Sequence, residues 1–154
     1  MTRIETNIII NADPQTVRSV FLQYQNYPKW NPLFTSFTKY TNKSDPNLNI
    51  GDELQIDLKL KGTNHTSTMY PVILENNENE FTWRGKLVST WLFGGTHSFK
   101  FERLEENKTV FEQSEEFTGI LVFLFYIFGV FSKTKESFIN MNESLKDYIE
   151  SSKY

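Results

Sequence analysis

Two titratable side chains stand where an alternating apolar pattern calls for rings. In "HSFKFERLEENKTVFEQSEEF", His97, Gln113 and Glu115 fall in step with Phe99, Phe101, Phe111 and Phe117. Suppose the odd-numbered residues of both halves face inward around a turn near Glu105–Lys108. Phe101 then meets Phe111, Phe99 meets Gln113, and His97 meets Glu115. A carboxyl among rings has its pKa raised, and an imidazole exchanges protons near neutrality, so the pair is equipped for acid–base work. The same two groups also read as a structural pair at a pocket rim, or as an anchor for the polar end of a ligand. No nucleophile or third orienting group accompanies them, so the structural pair is the simpler reading. Arg84 and Glu116 point outward on the same alternation, and His65, at a strand start, reads as solvated.

Composition narrows the chemistry. The chain has no cysteine, which excludes disulfides and thiolate catalysis, and its two histidines are too few for a His-based metal centre. No metal or cofactor is expected. A net charge of −3, without a basic cluster, argues against nucleic acid as a partner. The start "MTRIETNIII" enters a strand pattern directly, without a signal-peptide layout, so a cytoplasmic location is the expectation. The hydrophobic fraction of 38% is low, but fourteen Phe, seven Tyr and three Trp add bulk.

The 154 residues, with no repeat or linker, suit a single domain over 1–154. Ile4–Ile10 reads as a strand, and Asp13 as a helix N-cap with Pro14 at the first helical position. Val17, Val20, Phe21 and Tyr24 share one helical face, while Pro28 and Pro32 break the segment that follows. "GDELQIDLKLKG" alternates strictly, and "HTSTMYPVIL", "EFTWRGKLV" and a weaker Thr35–Thr41 strand extend the pattern. After the hairpin, Phe131, Phe138 and Leu145 recur every seven residues with Met141, Tyr148 and Ile149, which marks a long amphipathic helix. The order is one strand, two short helices, six strands and one long helix. A sheet with one apolar face needs that helix as its cover.

In this order the chain resembles the START/SRPBCC superfamily, the birch-pollen-allergen-like and polyketide cyclase/dehydratase-like proteins. The resemblance is carried by "NADPQTVRSVFLQYQNYPKWNPLF", "IGDELQIDLKL", "GTHSFKFERLEENKTVFEQSEEFTG" and "FINMNESLKDYIE", and it spans nearly the whole chain. It implies an α+β helix-grip fold: a curved seven-stranded antiparallel sheet wrapped around a long C-terminal helix, with two short helices after the first strand. It also implies a hydrophobic cavity and a role in binding or transporting a lipid, sterol, polyketide or aromatic compound. A cyclase/dehydratase-type enzyme using His97 and Glu115 is the alternative.

An empty cavity is costly. At about 24 cal/mol per Å³, a void of about 500 Å³ would cost roughly 12 kcal/mol, comparable to a domain's whole stability. Such a pocket must be propped by stiff side chains or occupied. Trp30, Phe34, Trp83, Trp91, Phe99 and Phe117 are the expected rings of its lining. Leu58, Leu121 and Phe138 are expected beside them, with His97, Gln113 and Glu115 as the polar groups.

The run Ile120–Phe131 has scarcely a polar side-chain atom. As a helix it spans about 18 Å, short of the roughly 30 Å hydrocarbon core of a bilayer. It reads first as a buried helix, then as a lid flexing at Gly119 and Gly129, then as a membrane or dimer contact. The partner expected is a small hydrophobic ligand. Membrane contact is expected to be at most transient, and the chain a monomer or weak dimer.

Overall fold

The computed structural model describes residues 2–87, 89 and 91–154. Strand β1 (Thr2–Ile10) leads into helix α1 (Pro14–Leu22), whose start is fixed by Asp13 accepting from the backbone N–H groups of Gln15 and Thr16. Val17, Val20 and Phe21 form its buried face. A 3-10 turn (Tyr24–Asn26) and the single-turn helix α2 (Tyr27–Trp30) follow. Asn31 then accepts from the N–H groups of Leu33 and Phe34 and turns the chain into β2 (Phe34–Lys39).

Strands β3 (Leu54–Lys59), β4 (Thr66–Met69), β5 (Val72–Asn76), β6 (Glu80–Leu87), β7 (Phe93–Glu105) and β8 (Lys108–Thr118) come next. The short helix α3 (Val122–Ile127) and the long helix α4 (Val130–Glu150) close the fold. All pairing is antiparallel, and a long C-terminal helix packs on it, which is the helix-grip arrangement.

The expected single seven-stranded sheet is corrected. The described strands form two sheets, five strands in the order β1-β8-β7-β6-β5 and three in the order β2-β3-β4. The extra strand arises inside "HTSTMYPVIL", which divides at Tyr70–Pro71 into β4 and β5. Pro71 lacks an N–H to give to a ladder, and its ring disfavours unbroken pairing. Its carbonyl instead accepts from Leu54, and the N–H of Ile73 donates to Asp52, so the two sheets meet where β3 and β5 begin.

Helix α4 buries Phe138, Met141, Leu145, Tyr148 and Ile149, the stripe its heptad spacing predicts. From α1, Phe21 sits with its ring 4.5 Å from Phe99 and 5.6 Å from Phe111. The core therefore joins α1, the five-stranded sheet and α4 through aromatic contacts.

A buried ion pair anchors the loop between β2 and β3. Lys39 Nζ lies 2.8 Å from Asp52 Oδ2 and donates to the carbonyls of Asp45 (2.9 Å) and Asn47 (2.6 Å). Asp52 also accepts from Asn42 Nδ2 and the Asn49 N–H. Removing one partner strands the other charge. We expect Lys39→Ala to cost about 3 kcal/mol in urea unfolding, and Lys39→Ala/Asp52→Ala to cost less than the sum of the single variants. Additive losses would show that the two charges do not stabilise each other.

Candidate functional site

The β7–β8 hairpin is built in the register that matching apolar faces predicts. Phe101 pairs with Phe111, Phe99 with Gln113, His97 with Glu115 and Gly95 with Phe117. Strict alternation then presents Phe93, Gly95, His97 and Phe99 on one face of β7, beside Gln113, Glu115 and Phe117 on β8.

His97 is enclosed by rings. Phe99 stacks on it at 4.4 Å, and Phe138 of α4, Trp83 of β6 and Phe34 of β2 lie at 4.8, 5.1 and 6.0 Å between centroids. Its Nε2 is 3.0 Å from Gln113 Nε2, which also reaches Met141 Sδ at 3.6 Å. With the amide nitrogen donating, Nε2 is the acceptor and the ring proton sits on Nδ1. Nδ1 is 3.9 Å from Glu115 Oε2, too long for a direct hydrogen bond. Gln113 Oε1 is buried without a partner.

Glu115 rests against a gap in the side-chain wall. A Cβ placed on Gly95 would come within 2.6 Å of Glu115 Oε1, so the carboxyl fits because residue 95 has no side chain. Beyond it lies a second aromatic group. Phe93 is 5.9 Å from Phe117 and 4.6 Å from Phe125, and Phe131 is 5.1 Å from Phe117 and 4.6 Å from Tyr126. The carboxyl is thus a polar layer between two sets of rings. Among the described residues it has no hydrogen-bond partner, and 19% of its side chain remains accessible.

The expected hollow is corrected. Phe34, Trp83, Phe99 and Phe138 are almost wholly buried and interlock around His97, so these rings occupy the space they were expected to line. Trp30 is also buried, stacked on Tyr148 at 6.2 Å, and Leu58 packs against the core edge opposite Phe34. The physical reason is volume: side-chain period gives the direction of a ring but not how far it reaches across a core. A recess of about 640 Å³ does open on the surface, lined by Arg18, Leu22, Asn49 and Asn76 among others, but it includes none of the expected residues.

Trp91 is corrected as well. It is 70% exposed, in the turn before β7, where alternation no longer sets its direction. The buried-helix reading of Ile120–Phe131 fails as well: α3 has no fully buried residue, and Val122, Leu124 and Phe125 within it are half-buried like Leu121 before it and Phe131 after it. Sequence reasoning missed Gly95, Met141, Phe93 and Phe125. The Gly94–Gly95 pair within a strand pattern was the available signal, since interior strand glycines mark close approach. His65 and Arg84 are exposed, and Glu116 binds Arg3 at 2.8 Å on the outer face.

Burial acts on the two titratable groups in opposite senses. It pushes His97 down to about 3 and Glu115 up to about 8, so both are neutral near pH 7. The folded state then holds more protons than the unfolded one at Glu115 between pH 4.5 and 8, and fewer at His97 between pH 3 and 6.5. Stability from this pair falls as pH rises above about 6.5, is level from about 4.5 to 6.5, and falls again below that. Glu115→Gln should remove the alkaline decline, gaining at most about 2 kcal/mol on wild type between pH 6.5 and 8. Urea unfolding at both pH values measures it; an unchanged difference would refute the assignment.

No curated protein matches the chain in sequence. Solved structures do match in shape. The Zhui aromatase/cyclase from Streptomyces sp. R1128 superposes with a TM-score of 0.74 at 8% identity, covering 97% of this chain and 93% of that one. Norcoclaurine synthase from Thalictrum flavum gives 0.72 at 10% identity, covering 99% and 96%. A START superfamily protein from Mycobacterium smegmatis gives 0.69 at 14% identity, covering 97% of each chain. Identities this low speak for the fold alone. A family model described as polyketide cyclase/dehydrase and lipid transport matches residues 1–146. The chain therefore belongs to the polyketide cyclase/dehydrase and lipid transport family and has its START/SRPBCC-type fold.

Proposed function

We propose that the protein binds one small, mostly apolar molecule whose uncharged polar group meets Glu115. The observation that carries this reading is the Glu115 carboxyl itself, seated over Gly95 between two aromatic groups with no protein partner among the described residues. A polar group in that setting is costly unless something completes its hydrogen bonding. As a neutral acid it donates to a carbonyl or hydroxyl oxygen, whereas a carboxylate ligand would bring an unmatched charge. Membership of a family described by both cyclase/dehydrase activity and lipid transport supports a small apolar ligand, without choosing one.

Room for the guest comes from the outer rings rather than from the cage around His97. Helix α3 has no fully buried residue, and its inward side chains Val122, Leu124 and Phe125 are only half-buried, so displacing it exposes less apolar surface than moving a core element would. Its upstream end turns at Gly119, with φ +110°, where a Cβ would lie 2.5 Å from the Leu92 carbonyl. That position admits only glycine without a backbone shift. Phe125 and Phe131 are then the rings that give way.

The chain's two histidines supply the test. Titration with a long-chain ketone and with a naphthol should give a saturating shift of the His97 ring signals in NMR, while exposed His65 stays unmoved. Glu115→Ala should weaken ketone binding by roughly tenfold, the value of one hydrogen bond to a buried neutral donor. If neither probe, nor a fatty alcohol, moves His97, the binding reading fails.

A second reading has its own observation: two adjacent groups with pKa values driven to about 3 and about 8 form an acid–base pair. In a dehydration, Glu115 would protonate the departing hydroxyl, and His97 Nδ1 would take the proton from the neighbouring carbon in its other tautomer, with the Gln113 amide turned so that its Oε1 accepts from Nε2–H. Glu115→Gln would then abolish turnover of a β-hydroxy ketone with binding retained. Turnover that survives this substitution removes the enzymatic reading.

A further inference from the structure

We propose that helix α3 and the turn holding Trp91 form a docking face for an anionic lipid surface. This goes beyond ligand binding and stands whether or not the interior takes a guest.

Six large apolar side chains crowd this face. Trp91, Ile120, Phe123, Tyr126, Ile127 and Phe128 are exposed by 70, 50, 58, 62, 69 and 71%. They are contiguous by construction. The Ile120 and Leu121 N–H groups donate to the carbonyls of Trp91 and Leu92, and the remaining four lie on or next to one short helix. Scattered exposed hydrophobics are ordinary, but a contiguous group of this size marks an interaction surface.

The occupant follows from composition and charge. Trp and Tyr among Phe and Ile are the mixture enriched where hydrocarbon meets headgroups, because each ring carries one polar atom. The first charged residues after the run are Lys133 and Lys135, both exposed and without an ion-pair partner among the described residues. Exposed Lys61 joins them, since its N–H donates to Ser137 Oγ one turn further along α4. Exposed Glu136 is the acid on that turn of α4, and on β8 Glu116 is paired with Arg3. A chain of net charge −3 thus carries exposed lysines on the segments that adjoin its apolar face, which suits a negatively charged surface better than a second acidic copy of itself. Six helical residues span about 9 Å, so α3 lies in the interface and does not cross it. Among the described residues no helix is long and apolar enough to cross a membrane.

The protein carries its own reporter. Trp30 and Trp83 are buried, so a change in tryptophan emission on adding lipid arises at Trp91. The full chain should sediment with phosphatidylglycerol-containing vesicles and much less with pure phosphatidylcholine. Its emission should shift to the blue and be quenched by acyl-chain-brominated lipid. Trp91→Phe should lose the optical signal yet still sediment. Phe123→Ser/Phe128→Ser should weaken partitioning by roughly tenfold or more with an unchanged melting midpoint, because both rings are exposed. Lys133→Gln/Lys135→Gln should weaken binding to the anionic vesicles by about fivefold or more. The proposal is overturned by absence of sedimentation, by bound protein whose Trp91 escapes quenching, or by a dimer in solution that protects Trp91 and ignores vesicles.

Discussion

One imidazole caged by four rings holds the architecture together. Phe34 comes from the three-stranded sheet, Trp83 and Phe99 from the five-stranded sheet, and Phe138 from α4, and all of them meet at His97. Among the described residues, no other ring is in aromatic contact with both sheets and the terminal helix. The cage imposes a neutral ring, since burial drives the His97 pKa far down. A neutral ring offers one donor and one acceptor, and Gln113 takes the acceptor side. The remaining direction faces Glu115, whose own neutrality follows from the same surroundings. Chemistry at this end of the fold is therefore set by packing rather than by charge pairing.

The aromatic content explains why so little space remains. Rings that could prop open a core do so only when their neighbours are too small to reach them. Here Phe21 fills from the α1 side, Phe138 and Met141 from α4, and Phe34 from across the gap between sheets. Under the proposed binding, room is made at the outer end, where Gly95 has no side chain and α3 has no fully buried residue. Binding there would cost movement of a short helix, while the inner cage keeps the sheet and helix in place.

Much of this was legible in the sequence, and the limits have physical causes. The register of β7 with β8 follows from alternation alone, because a one-residue slip would expose Phe99 and Phe111 and bury Lys100 and Glu112. The α1 cap at Asp13 and the buried stripe of α4 are equally local. The division at Pro71 was readable in principle, since proline cannot donate to a ladder, but an apolar run on both sides masked it. Whether Ile120–Phe131 is buried could not be read, because a stretch apolar on every side has no periodicity to point inward. Trp91 was misplaced for a related reason: outside a strand, alternation says nothing about direction. The filled core was beyond reach because it depends on ring reach across elements distant in sequence.

The Lys39 ammonium has a consequence for the loop it serves. Its three oxygen neighbours, from Asp45, Asn47 and Asp52, come from a stretch rich in Asp and Asn of the sort that elsewhere wraps a free cation. Here the positive centre is tethered by covalent bonds to an adjoining strand. The segment is pinned by a charge that belongs to β2 itself, so its ordering is tied to that of the strand.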